Sequence, residues 1–144
     1  MLTQAHGIVV AATLVALIAS VILHCMAATA LMRRFDGTSV RQSAGMVLMV
    51  LGLFVAHVIE IWLFGVISWS LAQIEGAGSV AGGHVSGVMD YIYFSAVTYT
   101  TLGYGEVYPV GPIRFIFGTE ALIGFMLITW SASVTFLQMQ RSWR

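Results

Sequence analysis

Among the ionisable side chains inside long apolar runs of this sequence, His57, Glu60 and Glu120 must be explained first. His57 and Glu60 lie three residues apart, so on a helix they share one face, while Glu120 sits alone in a later run. An ionisable group near the centre of a bilayer costs at least about 3 kcal/mol on insertion scales, so each should face protein and hold a partner. Two roles are open to the trio: a structural clasp between helices, or a proton-sensitive or metal-binding gate. Three ligands are one short of a closed zinc site, with His24 as a further imidazole. Elsewhere no pairing of nucleophile and base stands out, which argues against an enzyme. The single Cys25 lies in an apolar run and cannot form an intrachain disulfide.

The elements that position these groups follow from composition. Of 144 residues, 59% are hydrophobic and 8% charged, and the mean hydropathy is +0.93; such a chain belongs in a lipid bilayer. The formal net charge is +0, with no basic cluster beyond Arg33 and Arg34, so no nucleic-acid partner is expected. Gly7 to Met32 carries no charge and is long enough to cross about 30 Å of hydrocarbon. Ala28-Thr29-Ala30 has the spacing of a signal-peptide cleavage site, but no Lys or Arg precedes Gly7 and the run is too long. A second span runs from about Ser43 to Ser70 and a third from about Pro112 to Met139. So short a chain leaves no room for a soluble regulatory domain.

Between the second and third spans, Gln73 to Gly87 reads as an exposed loop rich in Gly, Ser and Ala. Val88 to Thr100 is apolar and aromatic but, at about 20 Å as a helix, too short to cross. Gly103-Tyr104-Gly105 would stop it, so a re-entrant half-helix followed by extended backbone is predicted. Non-helical backbone at membrane depth is tolerated only where protein buries it or where it lines a water-filled path, which points to a pore. Arg33, Arg34, Arg41, Arg141 and Arg144 fall on one side of this arrangement, which the positive-inside rule makes cytoplasmic. The N-terminus is then outside and the C-terminus cytoplasmic. Trp69, Tyr91 and Tyr108 near the outer ends and Trp143 at the inner end fit interfacial belts.

The stretch Thr98-Tyr99-Thr100-Thr101-Leu102-Gly103-Tyr104-Gly105-Glu106 resembles the potassium-channel signature, usually Thr-Val-Gly-Tyr-Gly-Asp. The resemblance covers about Ser43 to Met139. It implies an all-α membrane fold with an outer helix at 43–73, a pore helix at 88–100, a filter at 101–105 and an inner helix at 112–139. Residues 1–42 supply an extra first helix and a cytoplasmic turn. The family assembles as a homotetramer in the cell (inner) membrane and passes K+ with no cofactor. K+ would be held by backbone oxygens of Thr101, Leu102, Gly103, Tyr104 and Gly105, with the Thr101 hydroxyl at the inner end, and Tyr104 would brace the strand against surrounding half-helices. Thr98, Thr100 and Glu106 would support the filter. Two glycines allow backbone angles that a Cβ resists, and the negative end of the pore-helix dipole would face the cation.

The chain departs from the family pattern at three positions: Leu102 replaces Val, Glu106 replaces Asp, and Val97 stands where some relatives carry an acid. Tyr93 and Phe94 are either an aromatic cuff around the filter or core packing. Gly124 is either a hinge or a site of close helix approach. By helical phase Ile128, Thr129, Ala132 and Phe136 face the inner cavity, with Phe136 as a candidate constriction. Glu120 lies at a depth from which Glu60, His57 or the back of Thr98 and Thr100 could be reached. No span carries the repeated Arg of a voltage sensor. The competing function is a non-transporting intramembrane metal or haem protein using His57, Glu60 and Glu120, with His24 as an extra ligand.

Overall fold

The computed structural model describes residues 4–35 and 42–142. Arg41, Trp143, Arg144 and the Arg141 side chain, invoked above for orientation and the inner belt, lie outside the described residues. Three long helices, α1 (Gln4–Phe35), α2 (Gln42–Ala72) and α4 (Arg114–Ser142), are each long and apolar enough to cross a membrane. A short helix, α3 (Val88–Tyr99), lies between α2 and α4 in sequence. At 12 residues it is about 18 Å long and cannot cross.

Each long helix turns one narrow stripe inward. On α1 the buried residues are Ala5, Val9, Thr13, Ala16, Ser20, His24 and Ala28, spaced by three or four. Small side chains on that stripe let α1 lie close on α2 and α4. The stripe on α2 runs Met49, Leu53, Ala56, Glu60, Phe64, Ser68 and Leu71, and that on α4 includes Ile116, Glu120, Ile123, Leu127, Ser131, Val134 and Gln138. His24, Glu60 and Ser131 therefore form a polar layer. It separates an apolar cluster around α3 that includes Phe64, Phe94, Ile116 and Phe117 from a second one of Ala28, Met49, Leu53 and Val134.

The segment expected to be an exposed loop is more ordered than its composition suggests. Ser79–Gly82 forms β1, which pairs antiparallel with β2 (Val107–Val110), placing Val80 opposite Pro109 and Gly82 opposite Val107. Ala77 and Val80 are buried, and the Ala77 carbonyl accepts the Ile113 N–H at 2.8 Å. Tyr91, assigned by sequence to a lipid-interface belt, is buried instead, and its hydroxyl accepts the Val80 N–H at 3.2 Å. The loop before α3 and the segment after Glu106 are thus joined in one small sheet. Four-residue strands with little alternation carry too weak a pattern to be read from sequence.

Candidate functional site

Thr101 to Glu106 is exposed along its whole length in the single chain. Its backbone alternates: φ is +58° at Thr101, +57° at Gly103 and +82° at Gly105, while neither Leu102 nor Tyr104 has positive φ. Alternating left-handed and right-handed residues turn successive peptide groups the same way, whereas in a β-strand they alternate. The start of the segment is tied down through its N–H groups. Thr101 N–H reaches the Thr98 carbonyl at 2.9 Å, and the Leu102 and Gly103 amides both reach the Val97 carbonyl, at 3.0 and 3.4 Å. Peptide groups anchored by their donors leave their acceptors free for another partner. Thr101 is the only non-glycine residue with positive φ among the described residues, a conformation that costs an L-residue roughly 1–2 kcal/mol.

The helix behind this segment is gripped from both sides at glycines. A Cβ on Gly65 of α2 would sit 2.7 Å from the Ile92 Cα, and one on Gly124 of α4 would run into the Tyr99 carbonyl. Of the two readings of Gly124, the structure supports close approach. Phe94 packs edge-on against Phe117 with ring centroids 4.6 Å apart, so it belongs to the core. Its neighbour Tyr93 is exposed and donates its hydroxyl to Glu106. That bond holds the Tyr93 phenol above its ordinary pKa. The longer acid at 106 therefore keeps a partner on α3. At the other end, Thr100 Oγ1 donates to the Ala96 carbonyl at 2.8 Å and closes the last turn of α3. Asp90 accepts the Ser86 and Gly87 amides at 2.7 and 2.9 Å at the start of α3, and these bonds hold its carboxyl below the ordinary range.

His57, Glu60 and Glu120 do not form one site. Glu120 is buried beside Ser95, whose hydroxyl also faces the Ile61 carbonyl at 2.7 Å. Ser95 has one hydrogen for two acceptors, and the count closes when Glu120 is a neutral acid donating to Ser95. The second Glu120 oxygen, Oε2, has no hydrogen-bond partner among the described residues. Sequence depth alone suggested Glu60, His57 or the Thr98–Thr100 segment as partners; helical phase instead turns Glu120 to the middle of α3.

Glu60 gathers its partners from three other positions. His24 Nδ1 lies 3.0 Å from Oε1, His57 Nδ1 lies 3.2 Å from Oε2, and Tyr99 donates its hydroxyl to Oε2. The far nitrogens of both imidazoles meet at Ser131 Oγ, at 3.0 Å from His57 and 3.1 Å from His24. His57 Nδ1 is also 2.9 Å from the Tyr99 hydroxyl. Tyr99 and Ser131 were missed as site residues. On α4, Thr129, Ser133 and Thr135 bond to carbonyls four residues back. Only Ser131 reaches other helices. The expected cavity-facing residues Ile128, Thr129, Ala132 and Phe136 are exposed on α4. Tyr104 is 66% exposed in the single chain.

Residues 47–141 match the family described as "Ion channel", built around a two-transmembrane, potassium-channel-type domain, and the chain belongs to that family. It is a mostly helical membrane protein of the ion-transport class. Over 49 residues it is 43% identical to Protein LctB of Geobacillus stearothermophilus. That stretch is 34% of this chain and 37% of the relative, so the chain spans little more than a third of that protein's length. No solved structure matches. Helix α1 lies outside the family match.

Proposed function

We propose that this chain is one subunit of a homotetrameric, potassium-selective channel that conducts K+ passively through backbone oxygens of Thr101 to Gly105. The observation that carries this reading is the alternating backbone at Thr101, Gly103 and Gly105, anchored by its amides to α3 and left exposed by its own chain. Carbonyls facing one way are what a dehydrated cation needs, and one chain supplies only one wall of the ring. Four copies around an axis would bring the exposed segments together and place each Tyr104 against a neighbour's α3. Short α3, ending at the filter with its dipole negative end, favours a cation there. The conduction step makes and breaks no covalent bond and needs no cofactor.

The arginines at 33 and 34 favour an inner-membrane topology with the N-terminus outside and the filter facing out. The test is current or tracer flux through liposomes carrying the purified protein, with unequal potassium and sodium on the two sides. A reversal potential that follows potassium supports the proposal. Equal permeation of both ions would leave an ion channel without the proposed selectivity.

A further inference from the structure

In the polar layer joining α1 to α2, α3 and α4, the tautomers of His24 and His57 decide which atoms donate and which accept. One ligand atom from each of His24, His57 and Glu60 lies within 4.8 Å of the other two, and His24 and Glu60 are fully buried. Ser131 Oγ has two lone pairs, so it can accept the Nε2–H of both histidines. That pair of tautomers turns both Nδ1 lone pairs towards the Glu60 carboxylate, with the Tyr99 hydroxyl as the one donor fixed nearby. A group of facing lone pairs is satisfied by a cation.

We propose that His24 Nδ1, His57 Nδ1 and the Glu60 carboxylate, with the Tyr99 oxygen as fourth donor, bind one divalent transition-metal ion of the zinc class. Four features of the site support this. The donor set, two imidazoles with carboxylate and phenol oxygens, suits zinc and its neighbours in the first transition row. The donors crowd together, with His24 Nδ1 3.0 Å from Glu60 Oε1 and His57 Nδ1 3.2 Å from Glu60 Oε2 and 2.9 Å from the Tyr99 oxygen, so each carboxylate oxygen faces one imidazole. Both ligating histidines would have their second nitrogen fixed by one hydroxyl, the outer-shell arrangement that orients a metal-bound imidazole. Finally, the His57 side chain keeps 15% exposure on a groove of about 480 Å³ between α2 and α4, lined by residues including Leu53, Phe54, Ser131, Ala132 and Phe136. That groove is a route by which an ion reaches the site.

The ion would staple α1, which the family match does not include, to α2 and to α3 at a point two residues before Thr101. Its binding can be measured whether or not the protein conducts potassium. Full-length protein without a histidine tag, stripped with a chelator, is titrated with Zn2+, and with Co2+ as a spectroscopic probe. Expected for the parent chain is saturation at one ion per chain and the intense visible absorption of tetrahedral Co2+. His24→Gln and His57→Gln, each keeping a hydrogen-bonding side chain, should abolish the tetrahedral spectrum. Ser131→Ala should weaken binding by about 10–100-fold, and His84→Gln, on the exposed turret, should change nothing. Helical content and a monodisperse elution profile of each variant show that it has folded. Two results would overturn the proposal: no saturable binding to the parent chain, which leaves a layer held by shared protons, or equal binding by the folded His24→Gln and His57→Gln variants.

Discussion

Replacing Gly124 by Ala tests the contact between α4 and the end of α3, and Gly118→Ala provides the reference. Both substitutions gain the same intrinsic helix preference of Ala over Gly, about 0.8–1.0 kcal/mol, so that gain cancels in their difference. At Gly118 a new Cβ meets nothing within 4 Å. At Gly124 it meets the Tyr99 carbonyl oxygen, with the Tyr99 carbonyl carbon at 2.9 Å. The obstacle is backbone, so no rotamer change relieves it, and restoring contact at about 3.5–4.0 Å moves the helices apart by roughly 1 Å. Overpacking of this kind costs about 1–3 kcal/mol, equivalent to about 5- to 150-fold in the folding equilibrium. The assay is reversible unfolding of the purified protein in mixed micelles, followed by far-UV circular dichroism as the denaturing detergent is raised. Gly124→Ala should be the less stable variant by that difference. Its displacement of the Tyr99 peptide should also lower potassium-over-sodium selectivity, because Thr101 follows two residues later. Equal stability of the two variants would refute the placement of α4 against the Tyr99 carbonyl.

Gly103→Ala or Gly105→Ala should abolish selective flux through backbone strain, since φ is positive and a Cβ at either meets nothing within 4 Å; liposomes with normal potassium-over-sodium flux would count against the filter assignment. Glu120→Gln, which can still donate to Ser95, should leave stability within about 1 kcal/mol of the parent and selectivity intact, while Glu120→Ala should cost about 1–3 kcal/mol for the lost bond; detergent unfolding compares them. With Cys25 replaced by Ser, an impermeant thiol reagent should label Ser79→Cys from outside and fail at Ser39→Cys, and the reverse pattern would invert the proposed topology. Asp90 has its folded pKa below the ordinary value, so its stabilising contribution is fully present above about pH 4 and is lost as pH falls through that lowered value. The stability gap between parent and Asp90→Ala should therefore close in acid.

The three spans and the short fourth helix were legible because apolar length is a strong signal that needs no knowledge of partners. Expected limits of 43–73, 88–100 and 112–139 differ from the observed α2, α3 and α4 by no more than three residues at any end, which is where helix ends fray. The β1–β2 pair was not legible, because its register depends on bringing residue 80 to residue 109 around a whole helix and filter. Glycine at 103 and 105 advertises unusual backbone angles, whereas positive φ at Thr101 has no local signal and is imposed by the amides returning to α3.

The polar layer shows how much depends on helical phase. His57 and Glu60 announce themselves as a pair by spacing, but a carboxylate has two oxygens, and the second partner comes from 36 residues away. The information needed to find it was present in α1 as a stripe of small residues recurring every three or four positions from Ala5 to Ala28, with His24 in phase. One residue of rotation, about 100°, would bring Cys25 inward and turn His24 to the exposed side that Cys25 now occupies. The same reasoning separates the two carboxyls of the core. Glu60 lies where the stripes of α1, α2 and α4 cross near the C-terminal end of α3, and meets polar groups from two elements besides its own, His24 of α1 and Tyr99 of α3, while Ser131 of α4 reaches it only through the two histidines. Glu120 lies further along α4 towards its start, where the facing side of α3 offers only Ser95. Sequence read both as costly acids in search of a partner. The difference between a cation-demanding site and a neutral hydrogen bond arises only when four helices fix how many donors each acid meets.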